Sequence, residues 1–232
     1  MRLFAWNIRQ GGGTRLGRIA EAIARHDSDV LILSEYRGGA AARRLAETLD
    51  PLGYRYRSAL VPPPGRNGVL IAARGPFREH GALDGSLPEP YRLVRAEFAG
   101  LALCGVYMPN MLAKVPYWRA LITALAAGRL GDSLAIGDFN TCRAFVDEPG
   151  AIDATAYFLD HIDAIGFCDL WRRRYPEGRE YSWYSTRGNG FRIDHAFLSI
   201  GLADRAIGIR YAHEERLAGI SDHAPLILDL DV

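Results

Sequence analysis

The chain has 232 residues, 49% of them apolar, enough to bury one large core or two small ones. Its formal net charge of +1 gives no global basic field to announce a nucleic-acid partner, although a local groove can still be positive. Cys104, Cys142 and Cys168 are odd in number and far apart, which excludes a disulfide framework and a cysteine zinc cage and fits a reducing cytoplasm. No apolar run is long enough to span a bilayer, and the short apolar start does not read as a signal peptide. Lys114 is the only lysine. Arginine suits bidentate phosphate contacts, but so uniform a bias is better explained by GC-rich coding.

Residues 2–7 read as a strand, apolar and aromatic and then polar at Asn7. Gly11-Gly12-Gly13 lets backbone approach a ligand. The run has neither the spacing of a dinucleotide fingerprint nor the lysine of a P-loop. Alone, Asn7 reads as a turn former. Residues 16–26 put Leu16, Ile19, Ala20 and Ile23 on one helical face. Residues 29–33 form a strand apolar on both faces, ending in Ser34-Glu35-Tyr36. A carboxylate there needs water, a partner or a metal, and Glu35 would make a hard oxygen ligand for Mg²⁺. A second helix runs to Leu49.

Residues 54–60 and 67–72 read as strands and residues 74–90 as a loop. Residues 92–98 and 101–107 form neighbouring strands turned at Ala99-Gly100, the second ending in Tyr107-Met108-Pro109-Asn110. A rim aromatic is the ordinary reading of Tyr107. Residues 114–130 form a helix with Trp118, Leu121, Ile122 and Leu125 inward.

The stretch Ala135-Ile136-Gly137-Asp138-Phe139-Asn140-Thr141 organises the rest. It reads as a buried strand that breaks at Gly137. Side chains alternate along an extended chain, so Asp138 and Asn140 point one way and Phe139 into the body. Asp138 can take a proton from water, and Asn140 can orient that water or the group it attacks. A plain Asp/Asn turn is the bland alternative.

Residues 153–165 form a helix, and residues 166–174 a short element ending in Arg172-Arg173-Arg174. That cluster is either a solvated face or a set of phosphate contacts. Residues 181–185 form a strand carrying Trp183, and residues 186–191 a loop with Arg187. In the strand of residues 192–198, Asp194 and His195 face opposite ways. Asp194 is assigned to the site, because a partnered histidine tolerates burial better than a carboxylate. Residues 206–211 form a strand, and Ser221-Asp222-His223-Ala224-Pro225 turns into the last one, residues 226–230. His223 can meet a phosphoryl oxygen if a carboxylate keeps it cationic, and Asp194 is the candidate partner.

Strand tips throughout the chain thus carry Asn7, Glu35, Tyr107, Asp138, Asn140, Asp194, Asp222 and His223. Packing gives no reason for this; convergence on one mouth does. The inventory points to metal-assisted phosphoester hydrolysis.

The segments Trp6-Asn7-Ile8, Leu33-Ser34-Glu35, Gly68-Val69-Leu70-Ile71, Tyr107-Met108-Pro109-Asn110, Gly137-Asp138-Phe139-Asn140, Arg192-Ile193-Asp194-His195 and Ser221-Asp222-His223-Ala224-Pro225 resemble, in order, those of the endonuclease/exonuclease/phosphatase superfamily. The resemblance implies an α/β fold, a four-layer sandwich of two packed mixed β-sheets with helices on the outside, in a single domain over residues 1–232. It implies Mg²⁺ (Mn²⁺ as the alternative) on Glu35, with Asn7 and Asp222 near it. Asp138 would activate water, Asn140 would hold it or a phosphate oxygen, and His223 oriented by Asp194 would stabilise charge on phosphorus. Tyr107 would contact the phosphate or the leaving oxygen. Trp183, Arg187, Asn110 and Arg9 are the expected substrate contacts. Gly166-Phe167-Cys168-Asp169-Leu170-Trp171 and Tyr181-Ser182-Trp183-Tyr184 resemble the exodeoxyribonuclease III-like branch. DNA in a local groove is the expected partner, with a small-molecule, nucleotide or lipid phosphoester as the alternative. A cytoplasmic monomer with neither membrane nor protein partner is expected.

Overall fold

The computed structural model describes residues 1–128, 131–150 and 153–232. β1 (Arg2–Asn7) leads through α1 (Leu16–His26) to β2 (Val30–Arg37) and α2 (Ala40–Leu49). β3 (Tyr56–Arg57), β4 (Asn67–Ala73), β5 (Arg78–Ala82), β6 (Leu93–Phe98) and β7 (Leu101–Tyr107) follow, then α3 (Val115–Gly128) and β8 (Ser133–Asp138). The chain continues through α4 (Tyr157–Ala164), β9 (Phe167–Asp169), α5 (Leu170–Arg174), β10 (Trp183–Tyr184), β11 (Gly190–Phe191) and β12 (Asp194–Ser199). It closes with α6 (Ile200–Asp204), β13 (Ala206–Tyr211), α7 (Glu214–Leu217) and β14 (Leu226–Leu230).

The strands form two six-stranded sheets, ordered β13-β14-β1-β2-β4-β3 and β5-β6-β7-β8-β12-β9, and a small β10-β11 ribbon. Both sheets are mixed: β1 runs parallel to β2 and β7 parallel to β8, among antiparallel neighbours. Alternation along the strands builds the layers. Leu3, Ala5, Val30 and Ile32 of the first sheet share one buried cluster with Leu103, Leu134, Ile136 and Ala196 of the second. Phe4, Trp6, Leu31 and Leu33 point the other way, against Ile19 and Ile23 of α1 and Leu45 and Leu49 of α2. Trp118 and Leu121 of α3 and Phe158 of α4 cover the outer face of the second sheet. The result is the four-layer α/β sandwich, and strands buried on both faces explain the uninterrupted apolar runs.

Two glycines set how closely the layers meet. A Cβ on Gly105 would lie 3.2 Å from both Ile32 and Ile71 across the sheet interface. At Gly137 (φ +141°) it would lie 2.1 Å from the Val106 carbonyl oxygen, so β8 can lie this tightly on β7 only without a side chain there.

Several expectations need correction. β2 runs on through Glu35 to Arg37, with a register shift between Ser34 and Tyr36. The 74–90 stretch contains an edge strand, β5, whose Arg78-Glu79-His80 segment is exposed and polar and so gave no apolar signal. The 54–60 strand shrinks to Tyr56–Arg57. The fourth helix starts at Tyr157 rather than residue 153, because the Asp153 carboxylate accepts from Thr155 and holds a turn there. The end of the 114–130 helix lies outside the described residues.

The Arg172-Arg173-Arg174 cluster is used by the fold itself. Arg172 donates to carbonyls of Pro176 and Gly178 and to Asp147; Arg173 pairs with Asp204; Arg174 caps the Ala206 and Ile207 carbonyls on the edge of β13. Blocking an edge strand in this way discourages strand pairing with other chains.

Beneath the β12 tip lies a buried ionic knot. Arg192, fully buried, donates to Asp147 and Asp169 at 2.6 Å each, and His195 Nδ1 sits 3.1 Å from Asp169. Arg192 and His195 together hold Asp169 well below the usual carboxylate range against the cost of burial. Replacing Arg192 by Met leaves Asp147 to Arg172 alone and Asp169 to His195 alone, and about 3 kcal/mol of stability should go. A urea unfolding curve reads this directly; an unchanged midpoint would show that the knot contributes nothing.

Candidate active site

Backbone pairing puts three chemically useful side chains abreast. Tyr107 of β7 and Asp194 of β12 are both register partners of Asp138 on β8. Asn7 ends β1 of the other sheet, and its side-chain amide donates to Asp138 Oδ2 at 2.9 Å and to Glu35 Oε1 at 3.2 Å. The turn before β14 is tied in by its backbone: Trp6 Nε1 donates to the His223 carbonyl at 2.9 Å, and Ser221 Oγ to the Asn7 carbonyl at 2.6 Å.

Asn7, Glu35, Tyr107, Asn110, Asp138, Asn140, Trp183, Asp222 and His223 line one cavity of about 700 Å³. Asp194 stands behind His223, its Oδ2 2.8 Å from His223 Nδ1. His195 points to the opposite face, into the ionic knot. Arg9 and Arg187 are not part of the cavity wall; both are exposed, Arg9 in a left-handed turn after β1 and Arg187 between β10 and β11. Sequence reading missed Asn67, Lys114 and Asp153. Asn67 donates to Glu35 Oε2 at 3.2 Å, and Lys114 and Asp153 lie in the wall. Asn67-Gly68 at a strand start carried no sign of this. The lone lysine was visible, but only as composition.

Two sets of ionisable groups meet in the cavity, bridged by the Asn7 amide. One set holds Asp138, Asp194 and His223, all buried, with their ligand-type atoms within 4.8 Å of one another. Burial, and then the charge of Asp194, pushes the Asp138 carboxyl up to about 7, against the pull of His223 and of the hydrogen bonds from Asn7 and the Asn140 N–H. Burial works to lower His223, but Asp194, with Asp138 and Asp222, outweighs it and lifts the imidazole to about 10. The 2.8 Å contact between His223 and Asp194 makes this group an ion pair facing a second buried carboxylate.

Glu35 and Asp222, both half-buried carboxylates in the same wall, form the second set. Glu35 sits on the bulge of β2 with φ 57°, and Oε2 accepts from the Gln10 N–H at 2.6 Å. Asp222 Oδ2 accepts from Trp183 Nε1 at 3.3 Å. Glu35 and Asp222 supply hard carboxylate oxygens, the donor chemistry that suits a divalent cation, while the Asn7 amide turns its nitrogen to Glu35 and its oxygen to the Arg9 N–H. Tyr107 lies between the two sets. Burial raises its hydroxyl pKa, Glu35 adding to it, so the phenol keeps its proton; Arg92 stacks 4.6 Å from the ring centroid.

Fold and site together define an α/β-sandwich phosphoesterase, its cavity lined by carboxylates and by a histidine paired with a buried aspartate. Residues 4–223 match the Endonuclease/Exonuclease/phosphatase family, and the chain belongs to that family. It is a hydrolase of phosphoester bonds. Among solved structures it is similar to an AP endonuclease from Archaeoglobus fulgidus (24% identity, TM-score 0.86) and to the 3′-5′ exonuclease NExo from Neisseria meningitidis (25%, 0.87). It is also similar to the 3′ phosphatase NExo from Neisseria bound to a product DNA hairpin (24%, 0.86), and each match covers 100% of both chains. A comparison with curated proteins finds no match. No helix among the described residues is long and apolar enough to cross a membrane.

The Asp194 carboxylate keeps His223 charged, which fixes the sign of a pH effect. The folded pKa is raised, so the contact stabilises fully below about 6.5, the unfolded value, and its contribution is lost as pH climbs through about 10. In metal-free protein, an NMR titration should find the His223 ring cationic through neutral pH and Asp194→Asn should bring its midpoint down by several units. A wild-type midpoint near that of a free histidine would contradict the pairing.

Proposed function

We propose that the protein is a divalent-metal-dependent DNA nuclease of the exodeoxyribonuclease III-like kind, acting as a cytoplasmic, monomeric single domain. The observation that carries this reading is the convergence of Glu35, Asp138, Asp222 and His223 on one cavity, with Asp194 paired to His223 behind it. Similarity to an AP endonuclease, a 3′-5′ exonuclease and a 3′ phosphatase bound to a DNA hairpin supports DNA as the substrate. The apolar wall of Trp183, Phe191 and Ile193 suits a sugar or base beside the reacting phosphate.

Glu35, with Asn7 and Asp222, would hold Mg²⁺ or Mn²⁺, which when bound supplies positive charge against the phosphoryl oxygens. The rest falls to the chain's own side chains. Asp138 accepts the proton of the attacking water; a carboxyl titrating near neutrality is well matched to that task. Asn140 accepts a hydrogen bond from the same water or positions a phosphate oxygen. The His223 imidazolium, fixed by Asp194, meets the charge that develops on phosphorus. Tyr107 offers its retained proton to the leaving oxygen. Asn110 at the rim, with Arg9 and Arg187 on the surrounding turns, is proposed to touch the strand beyond.

A small-molecule phosphoesterase is the second reading, favoured by the near-neutral net charge. The test sets duplexes with a nick, a recessed end, an abasic site or a 3′-phosphate beside nucleotide and lipid phosphoesters, with Mg²⁺ and with chelator. Product from DNA, abolished by chelator, is expected; hydrolysis of small esters alone would move the assignment to the second reading. Asp138→Asn and His223→Ala should each lower kcat by about 10²–10⁴, Asp138→Asn with its melting temperature held and His223→Ala with a lower one but still folded. The wild-type rate should fall on its acid side well above the usual carboxylate range, as Asp138 takes up its proton. Mild effects from both variants would remove this mechanism.

A further inference from the structure

Lys114 is the chain's only lysine, and it is 2% exposed in the wall of the cavity. It ends the short helical turn Met111–Lys114 that runs into α3. Its ammonium donates to the backbone carbonyl of Asn140 and sits 3.4 Å from Asp153 Oδ2. Asp153 is itself fixed, because its other oxygen accepts from the Thr155 N–H at 2.8 Å and the Thr155 hydroxyl at 2.6 Å.

Asn140 is the residue this arrangement holds. Its backbone is left-handed, φ 48°, a conformation that costs a non-glycine residue energy unless its surroundings enforce it. Its N–H donates to Asp138 Oδ1 at 2.9 Å, and its side-chain amide to the Met108 carbonyl at 2.8 Å. The Lys114 ammonium takes the remaining backbone group, so the residue is tied at N–H, carbonyl and side chain. One turn along the same helical face, Trp118 Nε1 donates to Thr141 Oγ1 at 3.1 Å. Residues 114 and 118 therefore latch two consecutive residues of the β8 tip.

We infer that Lys114, oriented by Asp153, is a positioning residue of the hydrolytic site: it holds the left-handed Asn140 turn and thereby the aim of Asn140 and Asp138. This rests on the reading that Asp138 and Asn140 handle the attacking water. A compact ammonium with rotatable donors fits the role, and a planar guanidinium does not, which accounts for a lysine in a chain that otherwise uses arginine. Burial lowers the pKa of the Lys114 ammonium, and Asp153 offsets only part of that.

The experiment uses full-length Lys114→Met, Lys114→Arg and Lys114→Ala, with melting curves and steady-state kinetics on whichever phosphoester the wild type cleaves. Lys114→Met should lower kcat by about 10²-fold, as a misaimed catalytic group does, with KM little changed. Ethylammonium should restore part of the Lys114→Ala rate in a saturable way, and tetramethylammonium, which has no N–H, should not. Wild-type kcat in Lys114→Met, or equal rescue by both cations, would overturn the inference. If Lys114→Met fails to fold, the Lys114→Ala rescue decides. If the wild type cleaves no phosphoester, the functional reading falls by itself. A crystal structure of Lys114→Met then decides the latch: Asn140 leaving the left-handed region supports it, and an unchanged turn refutes it.

Discussion

Strand register is the constraint on which the site depends. Tyr107, Asp138 and Asp194 stand abreast because β7, β8 and β12 are hydrogen-bonded neighbours in one sheet. A slip of one residue would turn all of one strand's side chains to the opposite face. Gly137 keeps the β8 tip in register, since any side chain there would strike the Val106 carbonyl. The second sheet then brings Asn7 and Glu35 over the same mouth, and the Asn7 amide bridges carboxylates from both sheets.

Crowding charged groups at that mouth works against stability and is offset locally. Asp138 lies near Asp194, both buried, and only the His223 imidazolium and several N–H donors make the arrangement tolerable. Left-handed backbone collects at the same end, at Arg9, Gln10, Glu35, Met111 and Asn140. Strain of this kind persists where the surrounding structure over-determines it. Here the β2 bulge, the Asn7 bridge and the Lys114 latch do so. Rigid aim is what phosphoryl transfer asks of a protein, because little covalent help is needed.

The parts of this architecture legible in the sequence were those written in apolar runs. The helix of residues 16–26 and the strands of residues 101–107 and 206–211 stand as read, because each buries a continuous face. β5 escaped notice because an exposed polar edge strand has no such face. Alternation put Asp194 and His195 on opposite faces, and the choice of Asp194 for the site rested on a partnered histidine tolerating burial better than a carboxylate. The bulge that presents Glu35 could not be read, since nothing local marks a glutamate for positive φ. Lys114 and Arg192 stayed hidden because their partners arrive from distant segments: Asp153 and the Asn140 carbonyl for one, Asp147 and Asp169 for the other. The triple arginine read as either a solvated face or a phosphate grip and is instead an internal brace, a difference that only the paired carbonyls and carboxylates reveal.

The account turns on two sets of side chains in one cavity having different jobs, Glu35 and Asp222 for a cation, Asp138 and the His223–Asp194 pair for a proton and a developing negative charge. Crystals soaked in Mn²⁺ and measured for anomalous scattering test this most directly. The principal peak should lie against the Glu35 carboxylate, with the His223–Asp194 contact intact. A principal peak among Asp138, Asp194 and His223, with the histidine turned to ligate it, would contradict the division and the mechanism built on it.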